Sequence, residues 1–181
     1  MFIDYVTLML VNMAAGLVVL AFFVAFAVHK NDRRAWSPAF AITGLAATVC
    51  GFVMTFTWPI PQPYSTAYGE LSVMFGLLYL AAALSLAKGW DLMPAGIYAV
   101  VAGAIAIVVG IRFVILGLSN APLFTGVGFI LTGSIGVLVP VLLCLKKVKA
   151  IRLLGALLPL AAAFIWAWTG GLAYWFHLKP K

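Results

Sequence analysis

The chain has 181 residues, of which 66% are apolar and only 8% are charged. Roughly a quarter of the residues in an ordinary soluble domain are charged, so this composition excludes a soluble globular protein. The net charge of +7 comes from basic residues that lie between apolar runs, without the interleaved aromatic residues of a nucleic-acid surface. We therefore expect one membrane domain over residues 1–181, with the lipid bilayer and no nucleic acid as its partner.

Six apolar runs are long enough to cross about 30 Å of hydrocarbon as α-helices. They lie at about residues 5–28, 38–58, 70–87, 93–118, 123–145 and 151–176. Ser37 and Pro38 support one of these boundaries, because they supply an N-cap and a first-turn proline to the second helix. The predicted fold is an all-α integral membrane bundle of about six transmembrane helices.

The basic residues indicate the orientation of this bundle. The first, third and fifth connectors carry Lys30, Arg33, Arg34, Lys88, Lys146, Lys147, Lys149 and Arg152. The second and fourth connectors carry neither lysine nor arginine. The positive-inside rule therefore assigns the basic connectors to the inner side and both termini to the outer side, and "inner" and "outer" have this meaning below.

The fourth helix contains a seam of small residues. Gly96, Gly103, Gly110 and Gly117 repeat every seven residues along it. Small residues at this spacing let two helix backbones approach closely in a left-handed crossing. The fifth helix carries a matching face of Thr125, Gly128, Thr132 and Gly136. We expect these two faces to pack together, with an interface in a homo-oligomer or a larger membrane complex as the alternative.

Arg112 is the most informative ionisable residue, because it lies about 9 Å inside the outer end of the predicted fourth helix. A membrane arginine is usually paired, faces a water-filled cavity, or extends its side chain to the interface. Glu70 is the expected partner of Arg112, and Asp4 and Tyr68 lie at the same end. Asn12 either adds an amide to this site or joins two helices. These five residues predict an outer polar cavity for a small anionic or protonatable ligand.

The two histidines are predicted to lie about a bilayer apart, His29 at the inner side and His177 at the outer side. One subunit therefore cannot place both on the same metal ion or haem. A haem held by one histidine, a methionine ligand, and a site shared between subunits stay open as alternatives. The chain has no phosphate-binding loop, no His-Glu-x-x-His and no Gly-x-Ser-x-Gly, so no enzyme class is indicated.

Four short segments together carry a family resemblance. They are Pro63-Tyr64, Tyr68-Gly69-Glu70, Val73 to Gly76, and Ala87 to Leu92. Through these segments the chain resembles a family of small bacterial and archaeal membrane proteins that is classed as a domain of unknown function. The likeness extends from about the second helix to the fifth. It implies a polytopic membrane protein and supplies no catalytic residue.

Two functions follow from these features. The first is binding or transport of a small ligand at the outer cavity of a multi-pass protein of the cell membrane. The second is a non-catalytic scaffold or assembly subunit of a membrane complex, associated with haem or quinone. An enzyme that acts on lipid or quinone is a third class, for which no acid–base pair can be named.

Overall fold

Six α-helices form the fold of the protein. The structure, a computed structural model, describes residues 5–60 and 62–177. The helices are α1 (Tyr5–Phe26), α2 (Ser37–Thr57), α3 (Tyr64–Lys88), α4 (Met93–Ile115), α5 (Pro122–Cys144) and α6 (Lys149–His177). All six are long and apolar enough to cross a membrane, and the described ranges contain no strand. The predicted six-helix membrane bundle is confirmed.

Helix α3 differs most from its predicted bounds, because it begins at Tyr64 and not near Glu70. The predicted bounds left residues 59–69 as a connector, which is longer than the segment that forms between α2 and α3. Pro63 ends this segment, and the hydroxyl of Ser65 bonds to both the N–H and the carbonyl oxygen of Ile60. Glu70 therefore lies between one and two turns inside α3 and does not occupy its N-terminus.

The helices pack as three close pairs: α1 with α6, α2 with α3, and α4 with α5. Looser contacts of α1 with α2, α3 with α4, and α5 with α6 join these pairs. Together the six contacts close a ring in chain order, in which the first and last helices are neighbours. The surface of the ring that faces away from its centre carries many exposed apolar side chains, as a surface in contact with lipid requires.

Helices α4 and α5 approach so closely that their contact requires glycine. A Cβ atom on Gly103 would collide with the carbonyl oxygen of Gly133 and lie 2.9 Å from the amide nitrogen of Val137. A Cβ atom on Gly110 would lie 2.7 Å from the carbonyl oxygen of Gly126. These neighbours are backbone atoms, which cannot move without separating the two helices. The two central glycines of the α4 seam, Gly103 and Gly110, thus pack within the subunit.

The ends of this seam differ from each other. Gly96 faces α5, where an added Cβ atom would lie 3.2 Å from the side chain of Val139. Gly117 lies beyond the last residue of α4, has a φ angle of 64°, and has no atom within 4 Å of an added Cβ. Gly117 is therefore a left-handed residue after the helix, and it makes no helix contact.

The face of α5 that meets α4 matches the expected one only in part, because Gly136 contacts α4 as expected and Gly128 does not. Gly133 and Gly136 contact α4, whereas Gly128 and Thr132 face Trp166 of α6. The Nε1–H of Trp166 donates a hydrogen bond of 2.9 Å to the hydroxyl oxygen of Thr132. Helix α5 therefore presents small residues to two neighbours, and the sequence pattern did not distinguish its two small-residue faces.

Helices α2 and α3 form a second glycine-dependent pair that the sequence analysis missed. A Cβ atom on Gly51 would lie 2.7 Å from the amide nitrogen of Val73 and 3.0 Å from the carbonyl oxygen of Gly69. A Cβ atom on Gly44 would lie 3.0 Å from the carbonyl oxygen of Gly76. The signal was present, because the glycines of each helix are seven residues apart, as in α4.

Candidate functional site

Arg112 and Glu70 do not form the predicted pair. Both side chains are exposed, and no hydrogen bond or ion pair joins them within residues 5–60 and 62–177. The reason is helix geometry. Tyr68 faces α4, with its ring 5.9 Å from that of Phe113, and Glu70 lies about 200° further around α3. Glu70 therefore points away from α4, while Arg112 is free to extend toward the headgroups.

Tyr68 belongs to a group of five rings in the outer half of the bundle, called here the outer aromatic cluster. Its members are Tyr64, Tyr68, Phe113, Phe129 and Trp166, from α3, α4, α5 and α6. The centroids of Tyr68 and Phe129 are 5.4 Å apart, and those of Phe129 and Trp166 are 5.0 Å apart. Such contacts stabilise a core beyond simple burial, and here they fill the space between four helices.

The remaining candidates for the outer site lie elsewhere. The amide nitrogen of Asn12 donates a hydrogen bond of 2.9 Å to the carbonyl oxygen of Thr43 and so joins α1 to α2. This is the interhelical role that the sequence analysis gave as the alternative. Asp4 lies outside the described residues. Among the described residues, the structure does not gather the predicted ligand-binding side chains at one point.

The two histidines lie at opposite ends of the bundle. His29 is exposed in the turn after α1, and His177 is the last residue of α6. Within the described ranges, no group of three or more His, Cys, Asp or Glu side chains could hold a metal ion. Haem ligation by a single histidine stays a prediction.

We expect the pKa of His29 to lie below its usual value of about 6.5. Desolvation is the first cause, and the positive charges of Arg152 and Lys30 add to it by disfavouring the imidazolium form. His29 should therefore be neutral at pH 7. An NMR titration in detergent would measure this pKa, and Lys30→Gln should raise it. A midpoint above 6.5 in the unmodified protein would contradict the prediction.

Arg152 is the buried arginine of the described chain ranges, and the sequence analysis counted it only among the loop charges. Its Nη1 donates to the carbonyl oxygens of Lys146 at 3.0 Å and Lys147 at 3.3 Å, and its Nε donates to Ala25 at 3.4 Å. These carbonyls follow α5 and end α1, where a positive charge is favourable. Arg152 therefore ties three helices together at the inner end. Its position at the immediate start of the last apolar run was the available signal.

Three apolar cavities form a row inside the ring of helices. From the inner to the outer side their volumes are about 110, 70 and 20 Å³, and we call them the inner, middle and outer cavities. All six helices line the inner cavity, through Leu20, Phe40, Tyr79, Ala99, Ile135 and Pro159 among others. An apolar cavity of about 150 Å³ stays dry and binds small apolar molecules, so apolar walls favour an apolar occupant.

The cavities share walls and so form one line. Leu78 and Ala99 border both the inner and the middle cavity, and Phe129 and Trp166 border both the middle and the outer cavity. Along α4 the row extends from Leu92 to Ala106, which is about 21 Å at the helix rise. Its outer end narrows to the smallest cavity, beside the outer aromatic cluster.

A polar groove lies next to the inner cavity at the basic end of the bundle. This inner groove has a volume of about 400 Å³ and is lined by Asn31, Asp32, Arg33, Arg34, Leu86 and Gly89. Leu86 is buried and also lines the inner cavity, so it lies between a polar space and an apolar one. The groove and the row of cavities are two features of the described structure that a ligand could occupy, and an apolar groove of about 350 Å³ between α1 and α6 is a third.

The comparisons with known proteins name no activity. No curated protein and no solved structure matches the chain. Residues 1–180 match a family described as "Protein of unknown function (DUF981)". This match is longer than the resemblance seen in the second to fifth helices. The chain therefore belongs to the DUF981 family of proteins of unknown function.

Proposed function

We propose that this polytopic protein acts in the cell membrane by binding a molecule with a long apolar chain, which enters the row of cavities between the six helices. The single observation that carries the proposal is the row itself. A close-packed interior has few voids larger than a water molecule, so an aligned row of three is unusual. Its walls are apolar, so the chemistry it favours is that of a lipid or isoprenoid chain.

The exposed positions of Arg112 and Glu70 favour this apolar site over the small-anion site expected from the sequence. The outer aromatic cluster narrows the row on the outer side, which favours binding from the inner half over passage through the bundle. The scaffold alternative requires no occupied cavity. The two functions therefore differ in whether an apolar chain stabilises the folded protein.

Hexadecanol is a suitable probe, because it has an apolar chain and no charge. The protein in mild detergent should bind it as an adduct in native mass spectra and should melt at a higher temperature, since a ligand of the folded state stabilises it. Ala82→Leu should fill part of the inner cavity and reduce both effects several-fold. An absence of stabilisation in the unmodified protein would favour the scaffold function.

Ala81→Leu provides the matched control. Ala81 lies one residue before Ala82 on α3, where its side chain is exposed and does not line the inner cavity. Both substitutions add the same apolar volume, so a difference in hexadecanol binding between them shows that the cavity binds the probe. If Ala81→Leu and Ala82→Leu reduce hexadecanol binding equally, the cavity is not the binding site.

A further inference from the structure

We infer that the ligand is an amphiphile with an anionic phosphate head, which binds Arg33 and Arg34 in the inner groove while its chain passes Leu86 into the inner cavity. This inference rests on the proposed function and names the substrate class of the same site. The inner groove and the inner cavity share one wall. Leu86 lines both the polar groove and the apolar cavity, so one molecule that displaces this side chain would occupy both.

The arginines of the groove have free donors. The carboxylate of Asp32 accepts the backbone N–H of Arg34 at 3.1 Å, which holds it against the turn. In the described residues, neither guanidinium group makes a hydrogen bond or an ion pair. The groove thus offers two positive charges against one negative charge. A planar guanidinium matches a phosphate in a bidentate arrangement, which a lysine cannot reproduce.

The groove also lies at the correct depth for a lipid head. It follows α1 and precedes α2 on the side of the basic connectors, where the positive-inside rule expects anionic headgroups. Gly89 keeps this side open, because it has a φ angle of 71° and no atom within 4 Å of an added Cβ. A phosphate could therefore reach Arg33 and Arg34 from the interface without a rearrangement of α3.

The test compares three probes on the full-length protein in mild detergent: hexadecyl phosphate, hexadecanol and inorganic phosphate. We expect hexadecyl phosphate to bind about 30-fold more tightly than hexadecanol, since two arginines face its head. Inorganic phosphate alone should produce no thermal shift at the same concentration. Equal stabilisation by inorganic phosphate and hexadecyl phosphate would overturn the amphiphile and leave a simple anion site.

Two double variants test whether the phosphate head binds in the inner groove. Arg33→Gln with Arg34→Gln should remove the preference for hexadecyl phosphate and keep hexadecanol binding. Lys147→Gln with Lys149→Gln removes the same charge at the same end, from exposed residues that do not line the groove, and should keep the preference. If both double variants lose the preference for hexadecyl phosphate equally, general surface charge causes that preference and the inference is wrong.

The outcomes also separate this inference from the proposed function. Equal binding of hexadecanol and hexadecyl phosphate to the unmodified protein would refute the phosphate head and leave the apolar site intact. A failure of both chain-bearing probes to bind would refute the apolar site and the inference with it.

Discussion

Gly103→Ala should lower the free energy of unfolding by about 3 kcal/mol, at the upper end of the usual cost of overpacking. The added Cβ atom would collide with the carbonyl oxygen of Gly133, and it would lie 2.9 Å from the amide nitrogen of Val137. Neither backbone atom can move unless α4 and α5 separate along their contact. Unfolding in mixed detergent micelles, followed by circular dichroism, would measure the change.

Gly171→Ala is the matched control for this prediction. Gly171 lies inside α6, and no atom lies within 4 Å of an added Cβ at this position. Because alanine has a higher helix propensity than glycine, this variant should be neutral or more stable by up to about 1 kcal/mol. Equal losses of stability in Gly103→Ala and Gly171→Ala would show that the α4–α5 contact has room for a Cβ atom at position 103.

Arg152→Met should lower the free energy of unfolding by about 2–3 kcal/mol. The substitution keeps an apolar stem of similar length and removes the charged donors to the carbonyl oxygens of Lys146, Lys147 and Ala25. A hydrogen bond with a charged partner contributes about 1.5–3 kcal/mol, and the carbonyls at the ends of α1 and α5 lose a favourable positive charge. Unfolding in mixed detergent micelles, followed by circular dichroism, would measure this loss of stability as well.

Two further variants test whether Arg152 acts through its bonding geometry. Arg152→Lys keeps the charge and loses the fork of donors, so its stability should lie between those of the unmodified protein and Arg152→Met. Arg112→Met removes an exposed arginine and should change the stability by less than about 0.5 kcal/mol. A larger loss in Arg112→Met than in Arg152→Met would reverse the roles assigned to the two residues.

The six helices could be predicted from the sequence because a bilayer imposes a minimum apolar length on every span. The same rule does not determine where a helix begins in the interface. Helix α3 starts at Tyr64 because Ser65 bonds back to Ile60, a contact that hydropathy does not encode. The early start of α3 also changes the position of Glu70, and the predicted pair with Arg112 depended on that position.

The candidate site was harder to predict for a different reason. The inner cavity is space left between side chains of six helices, from Leu20 of α1 to Pro159 of α6, and a pattern along one helix cannot show it. The direction of Arg152 depends on the ends of α1 and α5, which are distant in the sequence. The glycine spacing of α4 was informative because a close helix contact restricts side-chain size at regular intervals.

The close contact of α1 with α6 has a consequence for biosynthesis. Helix α1 is made before the other five helices, but its most extensive partner, α6, is the last of the six to be made. While α2 to α5 are being inserted, the surface of α1 that will meet α6 must contact lipid or an insertion factor. The α4–α5 hairpin can assemble as soon as it is made, whereas the wall of the bundle closes only after α6 arrives. A ribosome-bound chain that ends after α5 should therefore leave this side of α1 accessible to crosslinking by lipid-soluble reagents.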